Sequence, residues 1–361
     1  MPRPTKVNVT IVGASGYSGE ELTRLVLRHP ELELAAVTSR QTAGQKLNDV
    51  FQALPRKTDL VFTSPEIPDL IKTADVFMLA LPHGVAAGFA EPLVAAGKKV
   101  FDLSADFRLR SADVYKEFYG QDHPAPALLE KAVYGSPEWH KAEIKSAQLV
   151  ACPGCYPTSI LLPTLPLIKA GVIVHDRIIA DSMSGVSGAG RKADIDFLFV
   201  ECNESLRAYS VPKHRHLSEI EQELNFRLSG TYSSPSDASI KISFTPHLVP
   251  VNRGIHTTLY FDLDPMFIER SKLTGCEKAI SAIYQETYAN EPFVRLLTNG
   301  KLPDTKNVMG SNFIEIAWRF DARTNRLIVL SAIDNIVKGA SGQAIQALNI
   351  MYGWDETTGL H

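Results

Sequence analysis

Strand-like and helix-like stretches alternate over the first 150 residues of this chain. Residues 7–12 have the composition of a buried strand, and residues 20–27 carry apolar positions at helical spacing. Further strands are predicted at 32–37, 75–81 and 99–103. This alternation indicates βαβ units around a parallel sheet, in which ligands bind at the carboxyl ends of the strands.

The pattern changes in the second half of the chain. Five longer segments alternate apolar and polar positions, which favours a sheet with one solvated face and mostly antiparallel pairing. They are residues 177–182, 241–245, 257–262, 312–320 and 326–333. Helical patterns at 218–228 and 272–288 cover its other face, and a last helix is predicted at 340–351. The predicted fold class is α/β, a Rossmann-like doubly wound nucleotide-binding domain plus an α+β catalytic and dimerisation domain.

Composition excludes several classes of function. The chain has 361 residues, enough for two domains, with 37 Lys and Arg against 40 Asp and Glu. No basic run favours nucleic acid, and the longest apolar stretch is too interrupted to span a membrane. Four cysteines without an export signal do not indicate a disulfide framework, so a cytoplasmic location is predicted.

A glycine-rich loop follows the first strand and opens the first helix. Its spacing is GxxGxxG, and glycines there permit a tight turn and close approach of a pyrophosphate to the helix N-terminus. The predicted cofactor contacts in this loop are Gly13, Ser15, Gly16, Tyr17, Ser18 and Gly19. The second strand ends in Ser39 and Arg40 without the acid that binds the ribose of NAD, so the predicted cofactor is NADP(H). An ordinary exposed arginine is the competing interpretation.

Cys155 lies between a predicted strand at 147–151 and a predicted helix at 158–162. Unpaired backbone N–H groups and the helix dipole at that position favour a thiolate, the reactive form of cysteine. Cys152 and Cys155 also form a CPGC sequence, which suits a thiol–disulfide oxidoreductase. A zinc site with Cys202 and Cys276 is disfavoured because no second CxxC or spaced histidine pair accompanies it, and no metal is predicted.

Two further segments carry candidate chemistry. Residues 213–216, KHRH, precede a predicted helix and offer an imidazole as acid–base partner for the thiolate, although such a run alone is often a solvated loop. Residues 184–191, SGVSGAGR, form a second glycine–serine loop that either lines an anionic substrate or is only a surface loop.

Together these segments resemble the N-acetyl-γ-glutamyl-phosphate reductases and, more distantly, the aspartate-semialdehyde dehydrogenases. The matching segments span nearly the whole chain: 13–22, 81–84, 102–108, 153–158, 184–192, 213–216, 247–250 and 253–254. The resemblance implies an NADPH-dependent reduction of an acyl phosphate to an aldehyde through a thioester. It implies Cys155 as nucleophile, His214 as acid–base, and Asn as the commoner residue at position 152.

The remaining site residues also follow from the resemblance. The implied substrate contacts are Ser184, Arg108 and His216, and Arg108 is the candidate for binding the substrate phosphate. The further implied cofactor contacts are Pro82, His83, Ser187, Gly188, Asn335 and Lys338. The domains expected are 1–151 for NADP, 152–333 for catalysis and oligomerisation, and a returning helix in 334–361. A homodimer or homotetramer is implied.

Three other functions are compatible with parts of this pattern. The nearest is a reductase for aminoadipyl phosphate held on a carrier protein, which shares every motif but would need a basic docking surface. The others are a CPGC redox protein and a cofactor-binding regulator without catalysis. The charge of −3 gives no sign of a basic surface.

Overall fold

The chain folds into two compact units. The computed structural model describes residues 6–232 and 240–361. The first unit comprises Met1–Gly154 and Ala340–His361, and the second comprises Cys155–Gly339.

A six-stranded parallel sheet forms the centre of the first unit. Its strands are β1 Val7–Val12, β2 Leu32–Thr38, β3 Val76–Leu79, β4 Lys99–Asp102, β5 Ala132–Tyr134 and β6 Leu149–Ala151. Their order is β2-β1-β3-β4-β6-β5, and every neighbouring pair is parallel. The chain therefore winds outward from β1 in both directions, as in doubly wound folds.

Helices connect these strands. They are α1 Tyr17–Arg28, α2 Leu47–Val50, α3 Ile67–Leu70, α4 Ala87–Ala95, α5 Ala112–Tyr119, α6 Pro137–Ser146 and the C-terminal α13 Gly342–Tyr352. All four residues of β3 are buried, as expected for a strand covered on both faces. Phe77 and Leu79 of this strand pack in one apolar cluster with Ala90 and Leu93 of α4.

The second unit contains a seven-stranded mixed sheet. Its strands are β7 Ile178–Ser184, β8 Arg207–Ala208, β9 Ile242–Leu248, β10 Ile255–Asp262, β11 Val294–Leu296, β12 Ile314–Asp321 and β13 Arg326–Ile333. The order is β11-β12-β13-β10-β7-β9-β8. Four pairs are antiparallel, but β7 with β9 and β11 with β12 are parallel, so the pairing is more mixed than the alternation predicted. Alternate residues of β10 are buried.

The helices of the second unit are α7 Cys155–Ala170, α8 Phe199–Cys202, α9 His216–Ser229, α10 Pro265–Arg270, α11 Cys276–Tyr288 and α12 Thr305–Val308. A π-helical turn, Val337–Ser341, precedes α13. Both halves of the predicted fold class are confirmed. Within residues 6–232 and 240–361, no helix combines the length and apolar character needed to cross a membrane.

Helix α7 continues through two prolines that would normally end it. Pro163 and Pro166 lack the N–H groups that would bond to the carbonyls of Ser159 and Leu162. The Ser331 hydroxyl donates to Ser159 O at 2.7 Å, and the Tyr288 hydroxyl donates to Leu162 O. Side chains from β13 and α11 therefore replace the two lost bonds and let the helix run to Ala170.

Candidate functional site

The glycine loop of the first unit has the shape of a phosphate cradle. Gly13 has φ +83°, and a Cβ there would lie 2.5 Å from the Ala80 carbonyl oxygen. A Cβ on Gly19 would lie 2.6 Å from the backbone of Ala14. Both positions therefore require glycine for packing within the protein.

Gly16 differs, because a Cβ there would meet only one atom, at 4.0 Å. It is the N-cap of α1 and supplies no side-chain cap to the first-turn N–H groups. A helix N-terminus without a side-chain cap, and with space beside Gly16, fits a pyrophosphate. The loop therefore fits the dinucleotide predicted from the sequence.

The end of β2 is tied to this loop. Gly13 N and Ala14 N donate to Thr38 O at 3.1 and 2.9 Å, and the hydroxyls of Ser15 and Ser39 lie 2.9 Å apart. Arg40, the next residue, is exposed. The predicted contacts in the loop and at the end of β2 thus belong to one local structure.

Asp106 holds the loop that follows β3, and sequence reasoning assigned it no role. Its buried carboxylate accepts hydrogen bonds from Gly84 N at 2.6 Å, Ala87 N at 3.0 Å and the Tyr115 hydroxyl at 3.0 Å. The loop carries two predicted cofactor contacts, Pro82 and His83. Asp106 therefore acts as a positioning residue for the start of α4.

Arg108 is buried in the first unit. Only 8% of it is exposed, its Nε donates to Cys152 O at 2.8 Å, and its Nη2 donates to Leu103 O at 2.8 Å. At least two of its donors thus bind backbone carbonyls in the segments that follow β4 and β6. The structure gives Arg108 an anchoring role, and its predicted contact with the substrate phosphate stays a prediction.

Cys152 and Cys155 lie in different environments. Cys152 is 1% exposed, and burial, together with the nearby Asp102 carboxyl, raises the pKa of its thiol. Burial also raises the pKa of Asp102 to about 7, and the Asp106 carboxyl adds to this rise. The buried Cys152 thiol is therefore protonated at neutral pH. Cys155 is partly exposed, and none of the four cysteines, all within the described ranges, is in a disulfide.

Cys155 is the first residue of α7, where N–H groups of the first helical turn stabilise negative charge. Gly339, in the π-helical turn, packs directly on it: a Cβ on Gly339 would lie 2.7 Å from Cys155 Cβ. The absence of a side chain at position 339 therefore makes room for the thiol.

We expect Gly339→Ala to lower kcat about 10²-fold, because displacing a reacting atom by roughly 1 Å has an effect of this size. Steady-state kinetics measure kcat, and the rate of alkylation of Cys155 reports the change at the thiol. Gly88→Ala is the matched control, since a Cβ on Gly88 in α4 meets nothing within 4 Å. An unchanged kcat in Gly339→Ala would show that Cys155 tolerates the shift.

Two tyrosine hydroxyls lie beside the thiol. Tyr156 Oη and Tyr209 Oη are 2.8 Å apart, and the Tyr156 hydroxyl also bonds to the Ser184 side chain. Burial raises the pKa of Tyr209 to about 12, and a negative charge on Cys155 adds to this rise. Burial also raises the pKa of Tyr156, so both hydroxyls are protonated at neutral pH and one of them donates to the other. Sequence reasoning assigned no role to Tyr209, although it lies only five residues before His214.

His214 lies in an aromatic cage. Its ring centroid is 5.5 Å from those of Tyr156 and Phe244, 5.6 Å from that of Tyr209, and 4.9 Å from that of His216. Its Nδ1 accepts a hydrogen bond from His216 N at 3.0 Å. Burial, together with the positive charge of Arg215, lowers the pKa of His214 to about 4.

His214 and His216 are both buried, so residues 213–216 are not a simple solvated loop. The structure brings four residues together in the second unit: Cys155, Tyr156, Tyr209 and His214.

The glycine–serine loop after β7 is held by backbone and side-chain bonds. Gly185 N donates to Gly254 O at 2.9 Å. Asn335 links this loop to Gly254, because its Nδ2 donates to Ser187 Oγ at 2.9 Å and its Oδ1 accepts from Gly254 N at 2.7 Å. The loop is therefore an ordered part of the second unit and not a loose surface segment.

Lys338 is fully buried in the second unit, and its Nζ lies 5.8 Å from the ring centroid of Phe293. The predicted cofactor contacts are thus divided between the two units. Those in the second unit are Ser187, Gly188, Asn335 and Lys338. In the described part of the chain, no group of three His, Cys, Asp or Glu side chains is arranged to hold a metal ion.

Comparisons with known proteins define the class of this protein. Residues 8–147 match the family model of the semialdehyde dehydrogenase NAD-binding domain, and residues 155–335 match that of the semialdehyde dehydrogenase dimerisation domain. Aspartate semialdehyde dehydrogenase II of Vibrio cholerae has the same fold, with a TM-score of 0.68 at 16% identity over 97% of this chain and 99% of that one. The Candida albicans enzyme, solved with NADP, has a TM-score of 0.67 at 16% identity over 96% and 98% of the two chains.

More similar relatives identify the family within this class. A protein of Akkermansia muciniphila is 52% identical over 98% of this chain and 99% of its own length. A protein of Desulfotalea psychrophila is 49% identical over 98% of both chains. Both are named N-acetyl-γ-glutamyl-phosphate reductase. This chain belongs to the N-acetyl-γ-glutamyl-phosphate reductase family.

Proposed function

We propose that this enzyme reduces N-acetyl-γ-glutamyl phosphate to the γ-semialdehyde with NADPH, the acyl-phosphate reduction of arginine biosynthesis. The observation that carries the proposal is the position of Cys155. It is a partly exposed thiol at a helix start, next in the chain to Tyr156, whose hydroxyl bonds to Tyr209 and whose ring contacts His214. The relatives of this chain bear the same name.

The reaction begins at the Cys155 sulfur. Sulfur forms a bond to the acyl carbon, the bond from that carbon to the phosphate oxygen breaks, and phosphate leaves with the electron pair and the thiol proton. A bound nicotinamide supplies the hydride that reduces the resulting thioester. The carbon–sulfur bond then breaks, sulfur keeps the electron pair as a thiolate, and solvent returns one proton to it.

Hydrogen-bond donors beside the sulfur stabilise negative charge on the reacting oxygen. The donors in the second unit are the first-turn N–H groups of α7, His214, and one hydroxyl of the Tyr156–Tyr209 pair, since the other hydroxyl donates within the pair. Ser184 and His216 are assigned to substrate orientation, and Arg108 is assigned to the substrate phosphate because a guanidinium offers charge-assisted donors to an anion.

NADPH is the proposed cofactor because β2 ends without an acid and an exposed Arg40 follows it. We expect Arg40→Ala to raise the KM for NADPH roughly ten- to a hundredfold and to leave that for NADH unchanged, since a charge-assisted hydrogen bond contributes ~1.5–3 kcal/mol. Arg323→Ala is the control, because Arg323 is an exposed arginine paired with Asp321 in the second unit. Equal effects on both cofactors would show that Arg40 does not bind the 2′-phosphate.

The remaining assignments complete the proposal. Residues 1–151 bind the cofactor, residues 152–333 carry catalysis and oligomerisation, and residues 334–361 return as a helix. The enzyme acts in the cytoplasm as a homodimer or homotetramer, in line with the dimerisation domain matched at 155–335.

A substrate comparison tests the function. NADPH oxidation by the purified enzyme is measured with N-acetylglutamyl phosphate, with aspartyl phosphate, and with aminoadipyl phosphate on its carrier protein. We expect the first to be used with the highest kcat/KM. Preference for the carrier-bound substrate would replace this function by the lysine-pathway alternative, which the names of the relatives do not favour.

A further inference from the structure

The hydrogen bond to His214 Nδ1 determines which ring nitrogen carries the proton. A backbone N–H is always a donor, so the Nδ1 that accepts from His216 N at 3.0 Å has no hydrogen. The neutral ring then carries its hydrogen on Nε2. A second proton would have to enter at Nδ1 and break the bond to His216 N.

Two other buried histidines repeat this arrangement and show its consequence. Nδ1 of His29 accepts from Glu31 N at 3.2 Å, and Nδ1 of His123 accepts from Ala125 N at 3.1 Å. In each case Nε2 meets an oxygen acceptor, Asn349 Oδ1 for His29 and a backbone carbonyl for His123. The same local geometry therefore turns Nε2 into the donor at both positions.

The groups around the His214 ring also disfavour a positive charge on it. Tyr156 of α7, Tyr209 after β8, Phe244 of β9 and His216 of α9 contribute uncharged rings or a second histidine. The positive charge of Arg215 also acts on the ring and lowers its pKa. This surrounding is typical of a neutral imidazole and does not resemble a histidine paired with a carboxylate.

We propose that His214 acts as a neutral imidazole whose Nε2–H donates a hydrogen bond to the oxygen of the reacting acyl group, and that it does not accept the Cys155 proton. This role rests on the proposed function and makes it more specific. It requires no proton on Nδ1, because the thiol proton leaves with phosphate and the thiohemiacetal oxyanion collapses directly to aldehyde and thiolate. His214 then stabilises the oxyanion in both steps and stays neutral throughout.

Two substitutions separate a donor from a base. The amide nitrogen of Gln reaches the place of Nε2, whereas that of Asn reaches only the place of Nδ1. We expect His214→Asn to lower kcat about 10²–10³-fold, the loss typical of one oxyanion donor. We expect His214→Gln to stay within about tenfold of the wild type, with KM little changed and a kcat–pH profile of the same shape between pH 5 and 9.

Two results together would overturn the proposal in favour of a general base. The first is an equally severe loss of kcat in both variants. The second is a limb of the wild-type kcat–pH profile near neutral pH that disappears in His214→Gln. A nitrogen-15 NMR spectrum of the histidine-labelled wild-type enzyme decides the point if the variants fold poorly. We expect an unprotonated Nδ1 and a protonated Nε2 at pH 7 and pH 5.5, and an imidazolium signal would contradict the proposal. If instead the wild type fails to oxidise NADPH with N-acetylglutamyl phosphate, the proposed function fails while the protonation state is still measured.

Discussion

Replacement of Cys155 by serine is expected to lower turnover at least ~10³-fold, because a hydroxyl of far higher pKa is not ionised at the same helix start. The Ser variant keeps the shape of the side chain beside Gly339, so its loss reports chemistry and not packing. Steady-state NADPH oxidation measures the effect. Iodoacetamide is expected to modify Cys155 of the wild type before the other cysteines. The loss of enzyme activity is expected to be proportional to the fraction of Cys155 that is modified.

Cys152→Asn is the matched control for this experiment. The Cys152 thiol is buried and its pKa is raised, so it does not take part as a thiolate. Activity within a few-fold of the wild type is expected. If Cys152→Asn were as inactive as Cys155→Ser, a dithiol mechanism through the CPGC sequence would replace the thioester mechanism.

Short sequence motifs predicted the parts of the site whose geometry depends on residues that are close together in the chain. The glycine loop lies between a strand and a helix within about fifteen residues, and the structure gives Gly13 and Gly19 the close contacts that require glycine. The position of Cys155 at a helix start was predictable for the same reason. In both cases the residues that determine the geometry are neighbours in the chain.

Contacts between distant residues left no such signal. The Ser331 and Tyr288 hydroxyls support α7 from positions more than 120 residues away, so the sequence alone predicted only a short helix at 158–162. Gly339 lies 184 positions after Cys155, and nothing near it in the sequence indicates that it packs on the thiol. Residue type also misleads where burial is unknown. Arg108 has the chemistry of an anion-binding residue, yet two of its donors bind backbone carbonyls.

Oxidation of N-acetylglutamate semialdehyde with NADP is expected to require phosphate. In the reverse direction the thioester on Cys155 must be released, and this mechanism releases it to phosphate. Hydrolysis would need a carboxylate that activates water, and no acid occurs between residues 147 and 169. The Asp334 carboxylate, in the segment leading to Gly339, is already bonded to Ile336 N, Val337 N and Gly310 N.

Without phosphate, we therefore expect a burst of at most one NADPH per active site, followed by arrest at the thioester. Addition of phosphate is expected to restore steady turnover. Arsenate is expected to do the same and to make oxidation irreversible, because an acyl arsenate hydrolyses in water. Stopped-flow absorbance at the NADPH band measures the burst and the steady rate, and Cys155→Ser is expected to abolish both. A steady rate that is the same with and without phosphate would mean that water releases the acyl group, which would make the enzyme a hydrolytic dehydrogenase.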